Sequence, residues 1–211
     1  MNVDRVLTLE KLLQGRASTR SFRANPIDMS MIERAISAAG WAPSPHGTQP
    51  WRFVVVDQPG ERQQLASAMA DTWRAQLRAD TLEADEIERR LQNSIDRIVI
   101  PPVVVIACLY LGEAHVYPDS DRQEAERMMA IQSLGAACQN FLLMIHAQGL
   151  AAGWMCAPLF CPDVISEVLN LDASLIPHAM FPVGIEHRPP RRRTRRPLET
   201  LMVKVTRRHR S

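Results

Sequence analysis

Apolar residues recur along the chain at two periods, one typical of helices and one typical of strands. Leu7, Leu9, Leu12 and Leu13 alternate with charged residues and predict an amphipathic helix at the N-terminus. Mostly apolar segments of strand length occur four times, between longer segments of helical pattern. The predicted helices are Met1–Leu13, Ser30–Gly40, Glu61–Ala79, Ala84–Ile98, Asp121–Gln148 and Pro162–Leu169, and the predicted strands are Trp51–Asp57, Val103–Leu111, Leu150–Met155 and His178–Ile185.

The sequences of two of these elements also predict how they are buried. The β-branched run in Val103–Leu111 predicts a strand that is covered on both faces. The helix Asp121–Gln148 has few polar positions after Met128, which predicts burial nearly all round, inside the domain or in a subunit interface. Gly149 follows it as the expected C′ glycine. Strands separated by helices, without a linker or repeat, indicate one α/β or α+β domain over residues 1–211 with a central sheet.

Local signals refine the ends of the elements. Ser30 and Glu33 have the spacing of a capping box, which predicts that Ser30 caps the second helix. The prolines and glycine within Trp41–Pro50 predict a loop. No periodicity is evident after Arg188, so no regular structure is expected there.

Composition excludes several classes of protein. No apolar stretch approaches a membrane span, and the N-terminus lacks the continuous apolar run of a signal peptide, so we expect a cytoplasmic protein. The four cysteines form no CxxC pair and predict reduced, mostly buried thiols with no metal site; they are Cys108, Cys138, Cys156 and Cys161.

Positive charge is concentrated at the C-terminus. The net charge is +2, yet the segment Glu186–Ser211, which we call the basic tail, carries a net +8 and the rest carries −6. A solvated tail or a nucleic-acid patch would both have this composition. The basic tail lacks interleaved aromatic residues, which disfavours nucleic acid.

Three other segments contain groups suited to an anionic ligand. In Arg16–Phe22, which we call the N-terminal segment, Arg16, Ser18 and Arg20 alternate. Alternate residues of an extended chain point the same way, so two guanidinium groups and a hydroxyl could converge on one phosphate. A solvated basic turn is the alternative interpretation.

The second segment is Trp41–Trp51, here the proline loop, and the third is Gly149–Pro158, here the glycine segment. A rigid loop before a strand is a common position for ligand contacts. Small residues in the glycine segment would let a flat ring approach backbone amides. A packed connector and an ordinary buried strand are the respective alternatives.

In their order and spacing, these segments and Arg191–Glu199 resemble the nitroreductase family of FMN-dependent oxidoreductases, over roughly Arg16 to Leu201. Trp154–Pro162, Met129–Asn140 and Arg196–Glu199 are most similar to one subgroup, the flavin domain fused to the γ-glutamyl ligase that builds the deazaflavin coenzyme. The resemblance implies an α+β sandwich with a central, mostly antiparallel sheet flanked by helices. It also implies a long buried helix and a C-terminal tail that extends to the partner subunit of a homodimer.

The resemblance also implies roles for individual residues. The N-terminal segment would hold the FMN phosphate and ribityl chain, the proline loop would approach the flavin from the partner subunit, and backbone amides of the glycine segment would face the flavin N5 and O4 edge. Two arginines of the basic tail would close over the phosphate. The implied cofactor-binding residues are Arg16, Ser18, Arg20, Pro43, Ser44, Gln49, Asn93, Met155, Cys156, Ala157, Arg193 and Arg195. Gly47 stands where the family often has Asn, so one side-chain contact is either missing or replaced by His46 or Thr48.

The activity implied is ping-pong hydride transfer from NAD(P)H, through FMN, to a nitroaromatic, quinone or other conjugated acceptor. No catalytic side chain is expected, because the flavin supplies the chemistry. Trp73–Ile98 and Gly112–Asp119 are expected to roof the acceptor pocket, with Trp41, Trp73 or Tyr117 stacking on the acceptor or merely packing. The alternatives are reduction of a deazaflavin-coenzyme precursor, flavin binding without turnover, and flavin destruction to dimethylbenzimidazole.

Overall fold

The computed structural model of the chain describes residues 3–80 and 82–203. It confirms an α+β fold built on one antiparallel sheet with strand order β1-β2-β4-β3. Met1 and Asn2 of the first expected helix and residues 204–211 of the basic tail lie outside the described residues. The strands are β1 (Trp51–Val56), β2 (Val103–Tyr110), β3 (Ala151–Ala152) and β4 (Leu175–Gly184); the helices are α1 (Val3–Gly15), α2 (Met29–Ala39), α3 (Pro59–Ala79), α4 (Ala84–Val99), α5 (Ser120–Ala147), α6 (Pro162–Val168) and α7 (Leu198–Leu201).

Strand β2 lies at the centre of the sheet and is covered on both faces, as its sequence predicts. Each residue from Val103 to Leu109 is at most 2% exposed. Alternate residues belong to different cores: Val105 packs with α2 and α5, whereas Ile106 packs with α3 and α6. The period-two pattern of a strand therefore supplies both halves of the interior from one continuous apolar run.

Helix α5 packs across one face of the sheet together with α2. Its inner residues are buried, but Met128 and Met129 on the outer side are exposed, so the helix is not covered all round within one chain. By length and composition alone it could cross a membrane, contrary to the expectation that no stretch approaches such a span. Gly149 follows it at φ 80°, and its N–H and that of Leu150 donate to carbonyls of the last turn. This geometry confirms the C′ glycine.

Strand β3 is shorter than the predicted Leu150–Met155, and Pro182 explains why. The N–H of Gly153 donates to the Pro182 carbonyl at 3.1 Å, but Pro182 has no N–H to return the bond. The antiparallel ladder therefore ends after Ala152. It resumes at one isolated bridge, where Met155 and Met180 exchange bonds of 2.9 and 2.8 Å. Strand β4 begins at Leu175, three residues earlier than predicted.

Two further expectations are wrong, one about the start of α2 and one about the tail. Helix α2 is capped by Asp28, whose carboxylate accepts from the Ser30 N–H at 2.9 Å, so Ser30 lies inside the helix. Asp is as good an N-cap as Ser, and here it precedes Ser30 in the chain. The tail also forms the short helix α7, although it shows no periodicity over a longer window.

Both ends of the described chain expose apolar side chains. Helix α1 is amphipathic, as its sequence predicts, yet it contributes no buried residue. Leu7 and Leu9 are 47% and 52% exposed, and Leu198 and Leu201 of α7 are 65% and 67% exposed. Within residues 3–80 and 82–203, these faces have no cover.

Candidate functional site

The N-terminal segment is attached to the edge of the sheet by an irregular seam. Ser18 forms a parallel bridge with Ala152, and Phe22 forms an antiparallel bridge with Glu186. The Thr19 N–H donates to the Ala152 carbonyl at 3.0 Å, closing the first contact. We call these contacts, together with those of Ser21 and Arg23 to residues 185 and 187, the edge seam.

Side-chain alternation across the edge seam follows the extended backbone. Thr19 is 2% exposed and its hydroxyl donates to Glu186 Oε2 at 3.3 Å, whereas Ser18 and Arg20 face outward. The seam is also tight, because a Cβ on Gly153 would lie 2.7 Å from the Thr19 carbonyl oxygen. The sheet edge thus fixes the backbone positions of Ser18 and Arg20.

The outward side of this segment lines a large open cleft, which we call the arginine cleft. Its volume is about 1100 Å³, and the opposite wall is the basic tail. Arg16, Ser18 and Arg20 line it together with Arg193 and Arg195, which are five of the predicted site residues. In all it is lined by seven arginines, namely Arg16, Arg20, Arg188, Arg191, Arg192, Arg193 and Arg195, and no acidic side chain lines it within the described chain.

One arginine fastens the tail to the N-terminal helix. Arg192 donates from Nη1 to the Gln14 carbonyl at 2.7 Å and from Nη2 to the Gly15 carbonyl at 2.9 Å. These carbonyls belong to the last turn of α1, where a cation is favourable. The first part of the tail therefore lies along its own chain.

The remaining arginines of the cleft are electrostatically uncompensated. In the part of the chain that the structure describes, none of them forms an ion pair, whereas Arg74 and Arg90 elsewhere pair with carboxylates. Burial, and then repulsion from Arg195, lowers the pKa of the Arg16 guanidinium. Clustered, unpaired cations of this kind attract a multiply charged anion.

A smaller pocket of about 610 Å³ adjoins the arginine cleft and shares Arg20, Ser21 and Arg188 with it. It contains Asn93, the predicted ring contact, and Arg97 one helical turn further along α4. Burial, and then repulsion from Arg20, lowers the pKa of Arg97. Arg97 was missed from the sequence, although its i, i+4 spacing from Asn93 could have revealed it.

The glycine segment lies next to the edge seam but does not line either pocket. Met155 is tied to β4 by its bridge, and Cys156 and Ala157 begin the 3₁₀ turn Ala157–Phe160. The backbone N–H groups of Cys156 and Ala157 donate to no acceptor among the described residues. Two neighbouring amides are therefore available to an external acceptor. The Cys156 thiol is exposed and accepts from Trp154 Nε1 at 3.2 Å.

The proline loop is not brought to the arginine cleft of its own chain. Pro43, Ser44 and Gln49 line neither pocket. Ser44 Oγ accepts from the Gln49 N–H at 3.1 Å, which closes the loop around the 3₁₀ turn Pro45–Gly47. His46 at φ 55° and Gln49 at φ 46° occupy the left-handed region. Such backbone strain is concentrated at functional sites.

A second loop supports the proline loop. The rings of His46 and His115 stack at 4.0 Å between centroids. The His115 N–H donates to Glu126 Oε1 at 3.2 Å, and Gln123 accepts from the Tyr117 N–H. Glu126 is only 2% exposed, and its Oε2 has no partner within the described residues. The proline loop and Gly112–Asp119 therefore form one surface anchored on α5.

The three aromatic residues considered as acceptor contacts have different surroundings. Trp73 packs against the small core between α3 and α4. Tyr117 lies beneath the Arg122 guanidinium, 5.2 Å from its ring centroid. Trp41 is 87% exposed at the start of the proline loop. Of the three, Trp41 has the most surface available for stacking.

Comparison with known proteins identifies the group to which this arrangement belongs. The model of the family described as "Nitroreductase family" matches residues 13–185, which include the N-terminal segment, the proline loop and the glycine segment. The chain belongs to the nitroreductase family. It is 28% identical over 168 residues to the 5,6-dimethylbenzimidazole synthase of Rhodospirillum rubrum, covering 78% of this chain and 75% of that protein.

A second curated relative is the iodotyrosine deiodinase of Drosophila melanogaster, 45% identical over 197 residues. The alignment covers 87% of this chain but only 64% of the deiodinase. These two relatives carry different activities, so membership of the nitroreductase family does not by itself define a reaction.

Solved structures confirm the nitroreductase-like fold. A BluB-like flavoprotein from Clostridium difficile 630 superposes with a TM-score of 0.76 at 22% identity, covering 94% of this chain and 99% of that one. The FMN-dependent nitroreductase NfnB from Mycobacterium smegmatis, solved in complex with NADPH, gives 0.70 at 18% identity, with 96% and 99% covered. The similarity to the ligase-fused subgroup stays a prediction.

Proposed function

We propose that the chain is an FMN-dependent oxidoreductase that transfers hydride from NAD(P)H, through FMN, to a nitroaromatic, quinone or other conjugated acceptor. It would act as one domain spanning residues 1–211. The observation that carries the proposal is the arginine cleft, where the N-terminal segment and the basic tail meet although they are far apart in sequence. Bound FMN would supply the hydride chemistry, and the protein would supply binding and orientation.

The phosphate end of FMN fits the arginine cleft. Arg16, Arg20, Arg193 and Arg195 supply guanidinium groups that form no ion pair within the described residues, and Ser18 supplies a hydroxyl that lines the same cleft. Guanidinium groups bind phosphate through charge-assisted, often bidentate hydrogen bonds. A phosphate there would replace the repulsion between Arg16 and Arg195 with attraction to a shared anion.

Polar groups of the adjoining pocket and of the glycine segment are suited to a flavin ring. Asn93 and Arg97 occupy the adjoining pocket, and the N–H groups of Cys156 and Ala157 are unused within the described chain. Met155 is held beside those amides by its bridge to Met180. A cation and fixed N–H donors favour the electron-rich, reduced form of a ring, because they are oriented before charge develops. Cys156 would act through its backbone and not through its thiol.

The first test is the visible spectrum of the purified protein, recorded before and after anaerobic addition of NADPH and then NADH. We expect flavin bands that bleach with a donor and return with a quinone. Flavin bands that do not bleach with either donor would indicate a protein that binds flavin without this turnover. A colourless chain that cannot be reconstituted with FMN would contradict the proposal.

The phosphate assignment has its own test. Each charge-assisted hydrogen bond contributes about 1.5–3 kcal/mol, or roughly 10- to 150-fold in affinity. Arg16→Ala with Arg20→Ala should therefore release FMN at micromolar concentration, as measured by flavin in the filtrate after ultrafiltration. Arg34→Ala, on the exposed side of α2, is the matched control and should stay loaded. A double variant that retains its flavin would show that the phosphate binds elsewhere.

The functional unit in this proposal is a homodimer with FMN at the subunit interface. The proline loop, including Pro43, Ser44 and Gln49, lies outside the cleft of its own chain and would reach the flavin of the partner. The exposed apolar faces of α1 and α7, and the exposed Met128 on α5, are suited to cover by a second copy.

Light scattering across a dilution series tests the dimer. We expect two chains per particle, with flavin released as the particles separate. Monomers that retain all of their FMN would contradict a site shared between subunits. Ser44→Ala, which removes the side chain that accepts from Gln49, should weaken FMN binding without changing particle mass.

A second candidate function is oxidative destruction of the flavin to dimethylbenzimidazole. It is favoured by the match to 5,6-dimethylbenzimidazole synthase. Irreversible loss of the flavin spectrum in air, after reduction, would support this function against acceptor reduction. Turnover of a deazaflavin-coenzyme precursor in place of a quinone would instead support the subgroup indicated by Trp154–Pro162.

A further inference from the structure

The arginine cleft holds more positive charge than one cofactor phosphate can balance. Arg192 is engaged by the carbonyls of Gln14 and Gly15, which leaves six of the seven arginines without such a partner in the described chain. A phosphate monoester carries about two negative charges at neutral pH. Arg188 and Arg191 line the cleft but have no role in the proposed binding of FMN.

What sets the cleft apart is that its seven arginines lie together without an acidic residue among the described lining residues. On α3 and α4, Arg74, Arg89 and Arg90 each form an ion pair with a carboxylate. In the cleft no carboxylate is among the lining residues that the structure describes. Like charges collected without counter-ions destabilise a protein unless a ligand compensates them.

The space also exceeds what one small ligand needs. Small-molecule pockets typically measure about 300–1,000 Å³. The arginine cleft measures about 1100 Å³, and the adjoining pocket, which Arg188 and Arg20 connect to it, adds a separate volume of about 610 Å³. An extended flavin nucleotide with its phosphate in the cleft would leave part of this volume for a second ligand.

We propose that the arginine cleft binds a second phosphate group in addition to that of the cofactor, the 2′-phosphate that distinguishes NADPH from NADH, through Arg188 and Arg191. The proposal rests on the proposed function for its cofactor and its donor. It makes the protein an NADPH-selective enzyme, because the same two guanidinium groups meet only a neutral ribose hydroxyl in NADH. Neither arginine touches the reacting atoms, so both determine specificity and neither is catalytic.

Nucleotide binding without turnover is the direct test. Calorimetry on the FMN-loaded protein, at about 0.15 M salt to screen unspecific attraction, compares 2′,5′-ADP with 5′-AMP. We expect 2′,5′-ADP to bind at least about tenfold more tightly, as one charge-assisted contact would give. Flavin absorbance in the filtrate verifies that the nucleotide has not displaced FMN.

Variants assign the preference to these residues. Arg188→Gln with Arg191→Gln should abolish the preference for 2′,5′-ADP and lower kcat/KM for NADPH towards that for NADH, with the flavin content unchanged. Arg196→Gln is the matched control, since Arg196 is an exposed arginine of the same tail that does not line the cleft. Equal binding of the two nucleotides to the loaded wild-type protein would overturn the inference. So would a double variant that keeps the preference. Failure to bind FMN at all would instead overturn the proposed function.

Discussion

Gly153 is the residue at which the fold and the proposed cofactor site can be tested together. A Cβ at this position would lie 2.7 Å from the Thr19 carbonyl oxygen and 3.5 Å from the Pro182 ring. Its φ is not in the left-handed region, so close approach and not backbone conformation requires the glycine. We expect Gly153→Ala to push the N-terminal segment away from the sheet and to weaken FMN binding.

The magnitude follows from the contact. An ordinary carbon–oxygen contact begins near 3.4 Å, so the Thr19 carbonyl must withdraw by about 0.7 Å. It is backbone and cannot rotate aside, and the Pro182 ring blocks retreat of the new methyl group. Overpacking of this kind costs about 1–3 kcal/mol. For a chain of this size, that corresponds to a fall of about 2–12 °C in the melting temperature of the apoprotein.

The displacement should also appear in cofactor affinity. Ser18 and Arg20 flank Thr19, so their side chains move with the segment. Loss of one charge-assisted contact predicts about a tenfold rise in the FMN Kd, measured by quenching of flavin fluorescence.

Gly60→Ala is the matched control, because nothing lies within 4 Å of a Cβ in the first turn of α3. That substitution should leave FMN affinity unchanged and should stabilise the helix by about 0.5–1 kcal/mol. The reasoning is refuted if Gly153→Ala has the melting temperature and the FMN Kd of the wild-type protein.

Three other expectations follow from the structure. Burial raises the pKa of Cys108 and Cys138 to about 12, so the exposed Cys156 should be the first thiol to react with a disulfide reagent in the folded protein; comparable rates at a buried thiol would disprove this. Burial, and then the charge of Arg127, lowers the pKa of His178 in the folded state. As the pH is lowered below about 6.5, the unfolded state therefore binds more protons than the folded state, and the free energy of unfolding decreases. His178→Gln should flatten that decline between pH 7.5 and 5.5 in urea titrations, and an unchanged slope would count against it. Arg192→Ala removes the two hydrogen bonds to the last turn of α1 and should speed tryptic cleavage within that helix, and equal cleavage rates would contradict the role of that clamp.

Elements determined by local pattern were predictable from the sequence. The β-branched run of β2 is long enough to identify a strand covered on both faces, and the C′ position of Gly149 follows from the length of α5. The alternation of Arg16, Ser18 and Arg20 likewise predicted side chains that line one cleft. In each case the decisive information lies within a few residues of the feature.

Features determined by distant residues were not predictable. Strand β3 is cut short because Pro182, about thirty residues further along the chain, cannot donate to Gly153. The short helix α7 has too few residues for periodicity to reveal it. Capping by Asp28 in place of Ser30 reflects two candidates of similar strength that lie two residues apart. In our proposal, Pro43, Ser44 and Gln49 contact the flavin of a second chain. A sequence pattern does not show how two chains are arranged.

The edge seam has a consequence for the order of events during synthesis. Its most distant hydrogen bond joins Thr19 to Glu186, which are separated by 167 positions. At about 5–20 residues per second, the N-terminal segment leaves the ribosome roughly 10–30 s before its partner exists. Until then, Arg16 and Arg20 have no opposite wall. A nascent chain therefore has no complete cleft, and in our proposal capture of FMN would be one of the last steps in maturation.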